Sequence, residues 1–246
     1  MTRITAVVCV RDGALRLPRA LASIRAQARA PDEVLVIDGR SADGSAAIAA
    51  AWGARVVLQR GQGLADARNL ALAEAHGDLV AFLDHDDRWT PDKLARQEAA
   101  LAAPPAAAYA VAHLRFVADD AEASAIAGPR GAPRLGRTPG TLLAHRRLLD
   151  RVGPFLPDLG MGCDMDWFAR AAAVAEPAVE PAVLLLKTLR ADALSADPAR
   201  NRTAAFAVVA RRIAARRAAA RGGHPAPAEA DADGTPPRIV DGRSVP

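Results

Sequence analysis

Through its first 87 residues the chain alternates short apolar runs with segments of helical periodicity. Residues 5–10, "TAVVCV", form a β-branched run that predicts a buried strand. In "LPRALASIRAQA", Leu17, Leu21 and Ile24 recur at helical spacing, with Pro18 in the first turn. "DEVLVIDG" predicts a second strand ending at Asp38, "SADGSAAIAAAWG" a turn and helix, and "ARVVLQ" a third strand. "GLADARNLALAEAHG" predicts a third helix closed by Gly77, and "DLVAFLD" a fourth strand that is apolar on both faces. Strands buried on both faces belong to parallel sheets covered by helices. The β-α-β-α-β-α-β order therefore predicts an α/β fold, a mostly parallel central sheet with helices on both faces.

After Asp87 the rhythm changes. "PDKLARQEAALAA" predicts a helix, "AAYAVAHLRFVAD" a strand, and residues 119–139, rich in Gly and Pro, a long mobile loop. "TLLAHRRLLDRVGPF" and "DMDWFARAAAVA" are helical in part, and "AVLLLK" is a last strand. The expected organisation is one domain over 1–221, in a first part (1–90), a second part (91–200) and a basic helix (201–221). A disordered tail of Pro, Gly, Ala and Asp without periodicity follows over 222–246.

Composition changes this picture little. Of 246 residues, 51% are hydrophobic and 24% charged, enough for a sizeable core, and aromatics are only 4%, so the core is alanine-rich. The net charge of +4 is local, because residues 196–221 hold seven Arg and one Asp. No nucleic-acid signature accompanies it. Phe206, Val209 and Ile213 make a short apolar stripe interrupted by Arg217, which suits a docking helix better than a lipid surface. The two cysteines have no metal-type spacing and no disulfide framework. "MTRITAVVCVRDG" is too soon interrupted by charge to be a signal peptide, and no apolar run approaches a membrane span, so a soluble cytoplasmic protein is expected.

The chemistry lies in "AFLDHDDRWTP", which places Asp84, Asp86 and Asp87 within four positions after an apolar run. Ligands bind at the carboxyl ends of strands in doubly wound sheets, and both Asp38 and Asp84 end strands. Three adjacent carboxylates tolerate one another around a divalent cation, and Mg²⁺ or Mn²⁺ favours such oxygens together with substrate phosphates. The plainer alternative is a capped turn before the Pro91 helix. In "GQGLAD", 61–66, a dinucleotide-type fingerprint is spoiled by Asp66, which would repel a pyrophosphate, so this is a turn.

"VIDGRSADGS", "ARNLALAEAHGDLVAFLDHDDRWTPDKLARQ" and "CDMDWFAR", in this order, resemble successive blocks of the family 2 glycosyltransferases of GT-A fold, over about 4–195. The resemblance implies a single catalytic domain over 1–221 with a nucleotide-sugar-binding half (1–90) and an acceptor-binding half (91–200), a nucleotide-sugar donor, UDP-linked in the first instance, and an inverting displacement at the anomeric carbon. It implies that Asp38 holds the base or ribose with Asp12 nearby, and that Asp84 and Asp86 are the D-x-D pair. Asp86 would then bind the metal, and Asp84 the ribose or metal-bound water. Asp43 either shares the nucleotide site or caps the next helix, and Asp87 either joins the cluster or caps the next turn. Arg68 pairs a phosphate, orients Asp84 or lies on the surface. Asp164 matches the catalytic base, although Cys163 stands where the family has Glu. Asp166, four residues before Arg170, has an ion-pair spacing instead. Trp167 fits core packing better than sugar stacking. Arg190 stands where many members have His, and would offer charge to the donor phosphates. The acceptor is expected between the "DMDW" helix and the 115–139 region. Two rivals are a nucleotidyltransferase of related layout, which would release pyrophosphate, and a non-catalytic nucleotide-sugar-binding protein.

Overall fold

Alternation along the central strands sorts their side chains onto two faces, and each face has its own core. In a computed structural model, which describes residues 2–119, 131–189, 203, 208–211 and 213, strand β1 (Ile4–Val10) is buried along its whole length. Its Val7 and Cys9 face one apolar cluster, while Ala6, Val8 and Val10 face the other. The same split divides Leu35 and Ile37 from Val36 in β2 (Glu33–Asp38), and Val80 and Phe82 from Ala81 and Leu83 in β4 (Leu79–Asp84). Helices α1 (Leu17–Arg25), α2 (Ser45–Ala51) and α4 (Lys93–Ala102) cover the second cluster. Helices α3 (Gly63–Glu74), α5 (Arg146–Val152) and α6 (Cys163–Val174) cover the first.

The remaining strands are β3 (Arg55–Leu58), β5 (Arg88–Trp89), β6 (Tyr109–Ala118), β7 (Arg134–Leu135), β8 (Leu143–His145) and β9 (Ala178–Leu189). One sheet runs β3-β2-β1-β4-β8-β6-β9-β5, with β7 beside β6. β3, β2, β1 and β4 are parallel, as the alternation predicts. β8 enters antiparallel between β4 and β6, and β6 and β9 are again parallel to each other. The register aligns Val10 with Asp38 and Cys9 with Asp84, so Asp38 and Asp84 end their strands on either side of the end of β1.

Two features differ from the expected pattern. Part of the 119–139 loop is strand β7, held by a bond from Gly136 N–H to Ala112 O and by the Arg134 guanidinium over the Phe116 ring at 4.1 Å. In "TLLAHRRLLDRVGPF" the helical part is α5, and "TLLA" instead runs from the end of a 3₁₀ turn (Pro139–Thr141) into β8, where Lys93 and Gln97 of α4 donate to the carbonyls of Leu142 and Thr141. Residues 120–130 of the loop expected to be mobile, Arg190, and the tail expected to be disordered lie outside the described residues. The chain divides into units 1–210 and 211–246. Of the second unit only Arg211 and Ile213, both in helical conformation, are described. No helix among the described residues is long and apolar enough to cross a membrane.

At the amino end of the sheet, Glu33 gathers the Thr5 hydroxyl at 2.6 Å, the His76 N–H at 2.9 Å and Arg55 Nε at 3.0 Å. Burial pushes Glu33 up, but these donors outweigh it and hold the carboxyl at about 2. Its stabilisation is thus full above the ordinary glutamate range and is lost as pH falls toward 2. Glu33→Gln is expected to cost ~1–3 kcal/mol at neutral pH. The deficit should shrink between pH 4.5 and 2, as read by urea denaturation across that range.

Candidate active site

Two loops cross at the carboxyl edge of β1 and β2. Asp12 and Arg40, neither of them glycine, hold left-handed φ values of 49° and 61°. Such residues keep that conformation only where their surroundings fix it. Here Asp12 N–H donates to Ser41 Oγ at 2.9 Å, and Asp12 Oδ1 accepts Ala42 N–H at 2.8 Å. Ala14 N–H donates to Asp43 Oδ2 at 2.8 Å, and Gly13 N–H to Ser45 Oγ at 3.0 Å. Arg40 Nε reaches the Gln59 carbonyl at 3.1 Å. Asp43 also accepts the Ser45 N–H and hydroxyl at the start of α2, so both a helix-start role and a loop-bridging role fall to it. Asp38 is buried, with its carboxylate turned into its own turn: Ser41 Oγ lies 2.5 Å from Oδ1 and Ser41 N lies 3.1 Å from Oδ2. Asp12 is the more exposed carboxylate of this edge.

The acidic turn sits beside these loops. The His85 ring covers Gly13, where an added Cβ would meet the ring at 2.4 Å. A chain of alternating charges then runs through the site. Arg68, on α3, is fully buried. Its Nη2 lies 3.2 Å from Asp84 Oδ1, and its Nη1 pairs with Asp164 Oδ1 at the start of α6. Of the three roles open to Arg68 in the sequence, a surface position is excluded and contact with Asp84 is made. On the far side, Lys187 Nζ of β9 lies 3.3 Å from Asp84 Oδ2 and 2.8 Å from Asp87 Oδ2. Thr188 N–H donates to Asp87 Oδ1 at 2.8 Å, and its hydroxyl to the Asp86 carbonyl at 2.5 Å. Asp87 is therefore an internal anchor for β9 and not the cap of the following turn.

Burial pushes Asp84 up, but Lys187 and Arg68 outweigh it and hold the carboxyl at about 2. Burial pulls Lys187 down, and the flanking Asp87 and Asp84 more than reverse this, so the ammonium stays protonated. Burial raises Asp164 above the ordinary carboxylate range despite its contact with Arg68. Cys163 Sγ lies 3.4 Å from the same Asp164 Oδ1, and burial pushes the thiol up to about 12, so it is an inert neighbour.

Asp166 points the other way on α6, into the core, and pairs with Arg170 Nε at 2.8 Å. Trp167 is enclosed: it stacks on Phe155 at 5.5 Å, meets Phe168 edge-on at 5.3 Å and donates Nε1–H to the Gly153 carbonyl. In "GQGLAD", Asp66 covers Gly61 and accepts Gln59 Nε2 at 2.8 Å, so the turn is filled by its own side chains. Sequence reasoning missed Lys187 and Thr188. The available signal was a lysine closing the apolar run "AVLLL".

The sequence profile described as "Glycosyl transferase family 2" matches residues 5–153, more than half of the chain, and the chain belongs to that family. Similar proteins include the succinoglycan biosynthesis protein ExoO of Rhizobium meliloti, 37% identical over 97 residues, or 38% of this chain and 28% of that one. The chain spans about a third or less of the length of the curated relatives it matches. Among solved structures, S. aureus TarS 1–349 superposes with a TM-score of 0.65 at 20% identity, over 76% of this chain and 60% of that one. Glucosyl-3-phosphoglycerate synthase from Mycobacterium tuberculosis in complex with UDP gives 0.64 at 23% identity, over 85% and 80%. These likenesses define the fold as GT-A.

Proposed function

We propose that the chain is an inverting glycosyltransferase that takes a sugar from a nucleotide-diphospho-sugar, UDP-linked, and passes it to an acceptor hydroxyl. The observation that carries this reading is the shared guanidinium: Arg68 holds Asp84, at the donor edge, and Asp164, at the start of α6, on one fixed buried cation. Arg68 and Cys163 both hold Asp164 Oδ1, which leaves Oδ2 as the oxygen to receive the acceptor proton. The raised affinity of Asp164 for a proton suits a general base. As the acceptor oxygen attacks the anomeric carbon, its proton passes to Asp164, and the bond to the diphosphate breaks on the opposite side. TarS has been solved with UDP and with UDP-GlcNAc, and the synthase with UDP and Mn²⁺, which supports a UDP-linked donor here.

A divalent cation fits in one way. Among the described residues, no group of three or more His, Cys, Asp or Glu is arranged to enclose a metal. Both oxygens of Asp84 already face cations, so Asp84 is better assigned to positioning than to ligation. Asp86, half-buried in the turn between Asp84 and Asp87, supplies a hard oxygen. This suits Mg²⁺ or Mn²⁺ held by Asp86 together with donor phosphates, the usual mode for such ions. When bound, the ion neutralises charge on the leaving diphosphate. Asp12 and the 39–45 loop line the nucleoside side. Arg190 is assigned to the phosphates on its charge alone, and the acceptor to the region between α6 and 115–139.

Titration calorimetry with UDP in Mn²⁺, and assay of UDP release from UDP-sugars, test the reading. Wild-type protein is expected to bind UDP more tightly with Mn²⁺, and Asp86→Ala to lose ~10–100-fold of the metal-dependent part. Unchanged metal dependence in Asp86→Ala would remove the metal role. Pyrophosphate release instead of UDP would indicate a nucleotidyltransferase.

A further inference from the structure

β9 delivers to the acidic turn a cation that the donor-site reading above does not use. Lys187 closes an apolar strand run and pairs in register with Phe116 of β6. A partner for Asp87 alone would need to touch only Asp87. Lys187 instead straddles two carboxylates, Asp87 at 2.8 Å and Asp84 at 3.3 Å. Asp87 is 1% exposed at its side chain, whereas Lys187 and Asp84 keep 22% and 24%. The Lys187 side chain is thus partly open at the margin of the site, whereas Asp87 lies behind it. An ammonium has three N–H donors, and two are directed at carboxylates. The third is unclaimed among the described residues.

We propose that Lys187 is a donor-binding residue: a resident monovalent cation that gives its third N–H to the diphosphate, so that nucleotide binding has a metal-independent part. This rests on the donor site assigned above. A diphosphate approaching Asp84 and Asp86 meets like charge. A fixed cation 3.3 Å from Asp84 offsets that repulsion whether or not a divalent ion accompanies the nucleotide. Lysine suits the task as a compact point charge with rotatable donors. Arg68 cannot substitute for it, since that guanidinium is fully buried between Asp84 and Asp164.

The test is calorimetric titration of UDP into the full chain, once in EDTA and once in Mn²⁺. It compares wild type, Lys187→Met, and Lys187→Met combined with Asp87→Asn, with melting temperatures measured for each. The double variant removes the carboxylate that Lys187→Met would leave buried without its cation. Wild type is expected to bind UDP in EDTA, and Lys187→Met to lose about 10-fold or more of that affinity, the worth of one charge-assisted hydrogen bond. The loss should be smaller in Mn²⁺. The double variant should recover melting temperature without recovering EDTA affinity. If the double variant regains wild-type affinity in EDTA, Lys187 serves only to hold Asp87 and the proposal is overturned. If wild type binds UDP in Mn²⁺ but not in EDTA, the proposal is overturned while the donor site stands. If no nucleoside diphosphate binds in either condition, the donor site itself falls.

Discussion

Asp164→Asn is expected to lower single-turnover sugar transfer by ~10²–10⁴, the usual worth of a positioned general base. The asparagine carbonyl can still accept from Arg68, so α6 and the donor edge should stay in place and UDP affinity should change little. What is lost is the basic oxygen at Oδ2. Because burial raises the Asp164 carboxyl, the acid limb of the wild-type pH–rate profile should lie above the ordinary aspartate range, and it should disappear in the variant. Asp166→Asn is the control. Its carboxylate is buried against Arg170, which also donates to the carbonyls of Val152 and Pro154, so this change should cost melting temperature and spare the rate. If Asp166→Asn abolishes transfer while Asp164→Asn leaves it near wild type, the base has been assigned to the wrong aspartate.

Arg68→Met should give the largest loss of stability of any single change at the site, about 3–5 kcal/mol, because it strips Asp164 of its cation and leaves Asp84 with Lys187 alone. Arg68→Lys should not rescue it, since one ammonium lacks the planar fork that serves Asp84 and Asp164 together. The sign of the pH dependence follows from Asp84, which Lys187 and Arg68 hold at about 2 against the opposing effect of burial. Its stabilisation is present above the ordinary aspartate range and is lost as pH falls toward 2. The gap between wild type and Arg68→Met should therefore narrow below about pH 4, where the stranded carboxylates take up protons. Urea denaturation at neutral and acid pH measures both effects. A neutral-pH loss below 1 kcal/mol would show that the charge chain contributes little to folding.

The parallel half of the sheet was legible because each strand declares itself by an unbroken apolar run, and each helix between by its period. Asp38, Asp84 and Asp164 could be placed at element ends for the same reason. What stayed hidden depends on contacts between distant segments. β5 is two residues long and exists only because β9 lies beside it. β8 is three residues within a stretch whose apolar content suits a helix equally well, and its identity is settled by the pairings with β4 and β6. The sequence left Arg68 open among three roles, since a lone arginine in an alanine-rich helix shows nothing of what its guanidinium will meet. Asp38 is the reverse case. Its position at a strand end was plain, but its carboxylate is occupied by Ser41 three residues on, a local turn that strand-end reasoning does not anticipate.

The clamp from Lys187 and Thr188 has a consequence for how the protein is made. Asp87 meets its partners 100 and 101 residues downstream. A growing chain released only as far as β4 and the residues after it carries all three aspartates and neither of the groups that fix them. Until β9 emerges and docks beside β6, the carboxylates repel one another in water, and nothing draws Asp87 inward. Long-range closure of this kind is slow compared with the local pairing of helices and adjacent strands. The parallel half can therefore assemble first, and the acidic turn acquires its fixed shape only as β9 arrives. A half-synthesised chain would carry the three aspartates of the turn without the groups that fix them.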